Sequence, residues 1–361
     1  MKNKEMLTLE KLLKIPSPSG FEENIAEFIY QELLRYLPKK RVNIDKYNNV
    51  TAIIKGTSRK TVMIDAHLDE IGFVVTNVNR NGLISIKYIG GGDNSILSAR
   101  ELVILTDKGP INAVVDRQHA HLVEDEDDER IVNICEAAID IGIRGRKAVL
   151  RKVKIGDPVV HKTSCSKLVG SFYAGYGFDD KAGCYILLET IAEIVKSKKK
   201  PTATLVFTFS SQEEIGGHKT LPLVAQYKPN LFIEVDVTFA TDYLYDSRSL
   251  EEKVGKCELG KGIVLYRGVD IDKDALRLME STARTNKFKV QYQAAAGGDG
   301  YTSTEMTQHG TKAIVMGIPL RNMHSPVEII NLTDLKTGYN LLKSFLLNQR
   351  LERVLEKMEC K

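Results

Sequence analysis

The sequence predicts an α/β fold, a mixed β-sheet flanked by helices, interrupted by a β-rich insertion. Three observations carry this reading. Apolar runs of strand length alternate with amphipathic helical stretches near both ends of the chain. Between about residues 70 and 165, short β-type runs follow one another at hairpin spacing, with no helix of normal length before Asp140. The length of 361 residues also exceeds what one ordinary core organises. The expected division is a discontinuous domain of residues 1–69 and 166–361, with an inserted β-rich domain of residues 70–165.

Taken in order, the N-terminal stretch is amphipathic and lacks the long apolar segment of a signal peptide. Ser19-Gly20-Phe21-Glu22 has the spacing of a capping box. Ile25, Phe28, Ile29 and Leu33 then supply the apolar stripe of a helix. Residues 50–54 and 61–64 read as strands around the polar turn Gly56-Thr57-Ser58-Arg59. In the insertion, residues 73–78, 83–88, 101–106 and 111–115 read as strands, with Asn81-Gly82 and Lys108-Gly109 at turns. The α/β texture then resumes. A helix over 181–196 carries Ile186, Leu187, Thr190, Ile191 and Ile194, and buried strands are expected at 202–209 and 231–235. A helix at 274–285, a strand at 312–316 and one closing helix at 332–356 complete the pattern, without an internal repeat.

Composition narrows the function. The chain is 43% hydrophobic and 27% charged, as in soluble globular proteins. No apolar run reaches the roughly 20 residues needed to cross a bilayer, so no membrane role is expected and a cytoplasmic location is the default. The net charge is +4, and the basic residues are dispersed with few aromatics between them, which gives no case for nucleic acid. Lys198-Lys199-Lys200 reads as a cationic helix end before Pro201. The acidic run 124–129 reads as an exposed loop. The five cysteines, Cys135, Cys165, Cys184, Cys257 and Cys360, are odd in number and contain no Cys-x-x-Cys pair. Neither a disulfide framework nor a thiolate zinc site is suggested. Any metal here must be held by oxygen and imidazole.

Four segments place acids or histidine at the ends of the expected α/β strands, where ligands of open α/β sheets gather. They are Asp65-Ala66-His67-Leu68-Asp69-Glu70, Phe178-Asp179-Asp180-Lys181, Ser211-Gln212-Glu213-Glu214 and Glu234-Val235-Asp236. A histidine follows in Arg321-Asn322-Met323-His324-Ser325-Pro326. Alone, an acid pair usually offsets a helix dipole, and a lone histidine is usually just hydrogen-bonded. The set argues otherwise, because acids converging in one cleft would repel one another unless a cation sat among them. Imidazole with carboxylate suits zinc, cobalt or manganese.

These segments resemble those of the glutamyl aminopeptidase and TET family of dinuclear metallo-aminopeptidases. Its Ala-His-x-Asp-Glu-Ile-Gly, Asp-Asp-(Arg/Lys)-x-Gly, Glu-Glu-x-Gly, Val-Asp-Val-Thr and His-Ser-Pro-Val-Glu marks stand here at residues 66–72, 179–183, 213–216, 235–238 and 324–328. The match runs over nearly the whole chain in the family's order. The resemblance implies a fold of the zinc-exopeptidase type with a PDZ-like insertion that mediates dimerisation, and dimers assembling into a tetrahedral twelve-subunit particle. It implies two divalent metal ions per subunit, zinc foremost, with cobalt or manganese as alternatives. Asp179 would bridge them, His67 and Asp236 would complete one shell, and Glu214 and His324 the other. Glu213 would be general base and acid, and Asp69 would bond His67 and fix its tautomer. Asp180 would follow the bridge across a cis peptide. The substrates implied are peptides with a free N-terminus.

The chain also departs from the family. Gly297-Gly298-Asp299-Gly300 stands where Gly-Thr-Asp-(Ala/Gly) is common, Asn322 where tyrosine is usual, and Ile215-Gly216-Gly217-His218-Lys219 is shorter and more basic than the usual glycine-arginine-glycine turn. These departures touch the substrate pocket rather than the proposed ligands. His119 and His121 could face one side of a strand and bind a metal, but a structural role is favoured, and His161, His218 and His309 read as structural or surface histidines. The nearest rival is a related dinuclear carboxypeptidase, tripeptidase or deacylase. An endoglucanase and a non-catalytic assembly protein are the remaining alternatives.

Overall fold

The structure, a computed structural model, describes residues 4–117, 134, 137–216, 219–242, 247–296 and 302–359. Helices α1 (Lys4–Leu13) and α2 (Glu23–Leu33) come first, burying Leu9, Leu12, Ile25, Ile29 and Leu33. The capping-box reading fails. Glu22 is the N-cap residue of α2 but makes no side-chain cap, because Glu22 Oε1 accepts from Gly20 N and Gln212 N instead. Ser19 Oγ is engaged by Asp69. Strands β1 (Val42–Ile44), β2 (Val50–Ile54) and β3 (Thr61–His67) follow, the last running three residues beyond its predicted end.

The next strands are β4 (Gly72–Val78), β5 (Ile84–Ile89), β6 (Glu101–Thr106), β7 (Gly109–Val115) and β8 (Ala138–Asp140). A single helical turn, α3 (Arg146–Val149), precedes β9 (Pro158–His161). They close into a barrel of order β4-β5-β8-β7-β6-β9, with β9 pairing back onto β4. Alternating inward residues such as Phe73, Val75, Leu102, Ile104, Ala113 and Val115 give the barrel its own core. A PDZ-like character is not established by this closure. The expectations for His119, His121, Cys135 and the acidic run 124–129 lie outside the described residues.

The chain then forms β10 (Cys165–Lys167), β11 (Phe172–Gly175), α4 (Phe178–Ser197), β12 (Thr204–Ser210), α5 (Leu221–Tyr227) and β13 (Leu231–Phe239). After α6 (Ser247–Val254) come β14 (Ile263–Gly268), α7 (Lys273–Thr285), β15 (Val290–Ala295), α8 (Thr302–Gln308), β16 (Lys312–Leu320) and β17 (Glu328–Asn331). The expected single closing helix is two, α9 (Leu332–Leu346) and α10 (Arg350–Glu359). Between them Asn348 Oδ1 accepts from Arg350 N at 3.0 Å, an N-cap contact that starts a new helix.

Among the described residues, eight strands form one sheet of order β1-β2-β12-β3-β13-β16-β14-β15. It is mixed. β12, β3, β13 and β16 run parallel, whereas β2 and β14 join antiparallel. β13 is buried from Leu231 to Thr238, the near-continuous run expected of a strand covered on both faces. Val62, Ile64, Leu205 and Phe207 lie in the main core with Ile186, Leu187, Ile191, Leu341 and Phe345 of α4 and α9. Met63, Val206 and Phe232 form a smaller cluster with Leu223, Val224 and Met306 of α5 and α8. This sandwich presents the carboxyl ends of β3, β12 and β13 along one edge. No helix among the described residues is long and apolar enough to cross a membrane.

Candidate metal centre

That edge is where the predicted acids and imidazoles meet. β3 delivers His67 as its last residue, and parallel pairing sets Ser210 of β12 opposite it. The chain leaving β12 carries Glu213 and Glu214, and β13 supplies Asp236. Asp179 and Asp180 open α4 with non-helical backbone angles and a cis peptide between them. His324 enters from the turn between β16 and β17 in a left-handed conformation, φ 58°.

Asp179 lies between two histidines. Its Oδ1 is 3.1 Å from His67 Nε2, and its Oδ2 is 3.3 Å from His324 Nε2. His324 Nε2 is also 3.3 Å from Glu214 Oε2, and His67 Nε2 is 3.7 Å from Asp236 Oδ1. Ligand atoms of His67, Asp179 and Glu214 lie within 4.8 Å of one another, as do those of His67, Asp180 and Asp236. Asp180, expected only to follow the bridge, therefore offers an oxygen to the site as well. Among the described residues, Glu214 Oε1 and Asp180 Oδ2 are buried without a hydrogen-bond partner. Carboxylates that keep an orphaned oxygen and also group with imidazole, Asp180 with His67 and Glu214 with His324, fit a divalent cation better than any neutral neighbour.

Comparison with known proteins agrees. The family model for M42 glutamyl aminopeptidase matches residues 48–341. The chain belongs to the M42 family. It is thus an aminopeptidase, a hydrolase acting on peptide bonds. A relative from Acetivibrio thermocellus is 30% identical over 335 residues, 92% of this chain and 96% of its own length. The lysyl aminopeptidase of Pyrococcus furiosus is 27% identical over 344 residues, 94% and 95% of the two chains. The solved TET1 peptidase of Pyrococcus horikoshii superposes with a TM-score of 0.83 at 26% identity, covering 96% of this chain and 100% of its own. That peptidase can assemble into a tetrahedron or a large octahedral shell.

In this M42 chain the electrostatics follow from burial and from the imidazoles. Burial alone would raise the Asp179 carboxyl, but hydrogen bonds from His324 and His67 hold it well below the usual carboxylate range. His324 is pushed up to about 11 by its bonds to Asp179 and Glu214. Burial works against the charge on His67, yet Asp179, Asp69, Asp236 and Glu213 outweigh it and raise its pKa. Burial lifts Glu213 to about 8 and also raises Glu214, Asp180 and Asp236. Protons and cations would compete for these same atoms, so uptake of a cation here would displace protons.

The supporting residues explain the motifs. His67 Nδ1 lies 3.0 Å from the main-chain oxygen of Asp69 and 3.5 Å from its Oδ1, so the carbonyl is the closer acceptor. That bond leaves Nε2 free to accept a cation. The Asp69 carboxylate instead accepts from Glu213 N and Glu214 N, each at 3.1 Å, and from Ser19 Oγ at 2.5 Å. Glu328 Oε2 accepts from Phe178 N at 2.7 Å and Asp179 N at 3.4 Å, fixing the entry to α4. A Cβ at Gly183 would lie 2.3 Å from Asp180 Oδ2, which is why the Asp-Asp-Lys-x-Gly segment needs its glycine.

Sequence reasoning missed Glu22, Glu70, Lys181 and Glu328 as parts of the site. Glu70, Lys181 and Glu328 lie inside the quoted motifs, but nothing linear pairs Glu70 Oε2 with Lys181 Nζ at 2.5 Å across 111 residues. Of the remaining histidines, His161 is buried between the rings of Phe73 and Tyr176, and burial pushes it down to about 4. His309 is exposed. Asn322 Nδ2 donates to Val327 O at 3.1 Å within the His324 turn. The departures at Gly217, His218 and 297–300 lie outside the described residues.

Proposed function

We propose that this aminopeptidase removes N-terminal residues from peptides with two divalent ions and Glu213 as its general base. The observation that supports it best is the Asp179 carboxylate, whose two oxygens face different histidines. In this reading Asp179 would be shared by the ions, with His67 and Asp236 holding one and Glu214 and His324 the other. Zinc is the first choice, and cobalt or manganese would accept the same donors. Bound there, the ions supply Lewis acidity that polarises the scissile carbonyl and acidifies the attacking water.

The chain's own residues do the rest. Glu213 Oε takes the proton from the attacking water and returns it to the leaving amine nitrogen. Its burial, which favours the protonated form, suits a group that must hold a proton between those transfers. Glu214 is unsuited to that part, because a carboxylate committed to a cation keeps little basicity. Asp69 takes a positioning role, holding the Glu213 and Glu214 backbone through its carboxylate and His67 through its carbonyl. A peptide's free ammonium would dock against the surplus of carboxylates.

The reading extends to assembly and location. Residues 70–165 would be an inserted module that pairs subunits, and pairs would build a tetrahedral twelve-subunit particle in the cytoplasm. The resemblance to the TET1 peptidase supports the assembly. Side-chain preference is left to experiment, since the family's description is glutamyl and one relative's is lysyl.

The test is hydrolysis of tripeptides by metal-restored enzyme, with free and acetylated amino ends. Cleavage that requires the free amine is expected. Equal cleavage of blocked peptides would transfer the protein to the tripeptidase, carboxypeptidase or deacylase rivals. Cellulose hydrolysis surviving chelator would support a metal-free glycosidase.

A further inference from the structure

Four successive backbone N–H groups of the base loop are each held by a side chain from elsewhere. Ser211 N donates to Asn49 Oδ1 at 2.9 Å, and Gln212 N to Glu22 Oε1 at 3.2 Å. Glu213 N and Glu214 N donate to the two oxygens of Asp69, each at 3.1 Å. Gln212 has φ 60° without being glycine, a backbone conformation that persists only where surroundings hold it. Its N–H is held by Glu22, a residue 190 positions earlier and fully buried. The same Glu22 Oε1 accepts from Gly20 N at 2.7 Å. A buried carboxyl is costly, and here Oε1 satisfies two backbone donors while Oε2 is buried without a hydrogen-bond partner. This one serves no helix cap.

We propose that Glu22 is a positioning residue for the general base, its Oε1 fixing the left-handed Gln212 that aims Glu213. This rests on the assignment of Glu213 as base. Ser19 joins the same device from the same segment, donating to the Asp69 oxygen that receives Glu214 N. The segment before α2 is thereby wired to the far end of β12, and its Ser-x-x-Glu pattern serves the site rather than the helix. What the position requires is an acceptor oxygen, not a charge. A carboxamide would keep the acceptor, and an alkyl side chain would remove it.

The test compares Glu22→Gln, Glu22→Ala and Glu22→Leu, alone and with Glu213→Gln, in full-length metal-loaded protein. The readouts are kcat, KM and metal content, with an aminoacyl p-nitroanilide as probe. Misplacing the base by about 1 Å should lower kcat of the Ala and Leu variants roughly 10- to 100-fold. KM and metal content should stay within about twofold of wild type, since Glu22 is not proposed to touch either ligand. Glu22→Gln should rescue kcat to within about threefold of wild type, because its oxygen still accepts.

In the Glu213→Gln background, removing Glu22 should cost nothing further, because it acts through that side chain. An unchanged kcat in Glu22→Ala or Glu22→Leu, additive losses with Glu213→Gln, or a Gln variant losing more than about tenfold would each overturn the proposal. A Gln variant losing more than about tenfold overturns the proposal even if the other variants do not fold. A wild-type rate in Glu213→Gln alone would instead strike the base assignment.

Discussion

Lys181→Met tests how the two motif loops are held together. Lys181 Nζ lies 2.5 Å from Glu70 Oε2, with side chains 0% and 1% exposed. It also donates to Ile15 O at 2.9 Å, while Glu70 Oε1 accepts from Ser17 N at 2.9 Å. Methionine keeps the apolar stem but leaves the Glu70 carboxylate buried with one backbone donor and no cation. Removing one partner of such a pair costs about 3–5 kcal/mol. With an unfolding entropy of about 2.1 cal/mol/K per residue, that corresponds to a midpoint lowered by roughly 4–7 °C. Calorimetry at one fixed scan rate on metal-loaded protein reads it. The double variant Glu70→Leu/Lys181→Met should recover most of the loss, since no orphaned charge remains. A single variant unfolding within about 1 °C of wild type would refute the argument, because a desolvated carboxylate cannot lose its cation at no cost.

Three further outcomes follow from the same geometry. Glu213→Gln should lower kcat by roughly 10²- to 10⁴-fold in steady-state hydrolysis while metal content is unchanged. Burial pushes Glu22 up to about 7 from its ordinary 4.5, so its proton stabilises the fold fully below pH 4.5, and that contribution is lost as pH rises through 7. Glu22→Gln carries no such proton, so its melting temperature relative to wild type should be higher at pH 8 than at pH 5. A constant difference would contradict the shift. Gly91, in the turn after β5, has room for a Cβ only 3.0 Å from His324 Nδ1. Gly91→Val should therefore displace that imidazole and weaken zinc binding in calorimetric titration, leaving the Glu70–Lys181 pair and its contribution to stability intact.

The fold was legible where periodicity and burial coincide. β2 and β13 stand where apolar runs predicted strands, because a strand covered on both faces must be apolar, and β6 is a barrel strand whose Leu102 and Ile104 face the core. α4 begins at Phe178 rather than Lys181, since its first turn is built from the irregular Asp179–Asp180 backbone that no helical pattern encodes. The break between α9 and α10 was hidden because Asn348 caps the second helix without interrupting the apolar spacing. The convergence of His67, Asp179, Glu214, Asp236 and His324 was readable as a set of acids and imidazoles, although Asp236 lies inside β13, which runs four residues past its expected end at Val235. The contacts behind them were not. Ser19 and Glu22 match a local capping signature, and only the folded chain shows both used over long range, against Asp69 and Gln212. Glu70 and Lys181 lie in separate motifs whose pairing depends on how α4 crosses the end of β3.

The central claim is that two cations share the Asp179 carboxylate. Anomalous diffraction from zinc-loaded crystals tests it most directly. Two peaks roughly 3.5–4 Å apart, one beside His67 and Asp236 and the other beside His324 and Glu214, are the predicted result. A single peak, or a fully active enzyme with none, would contradict it.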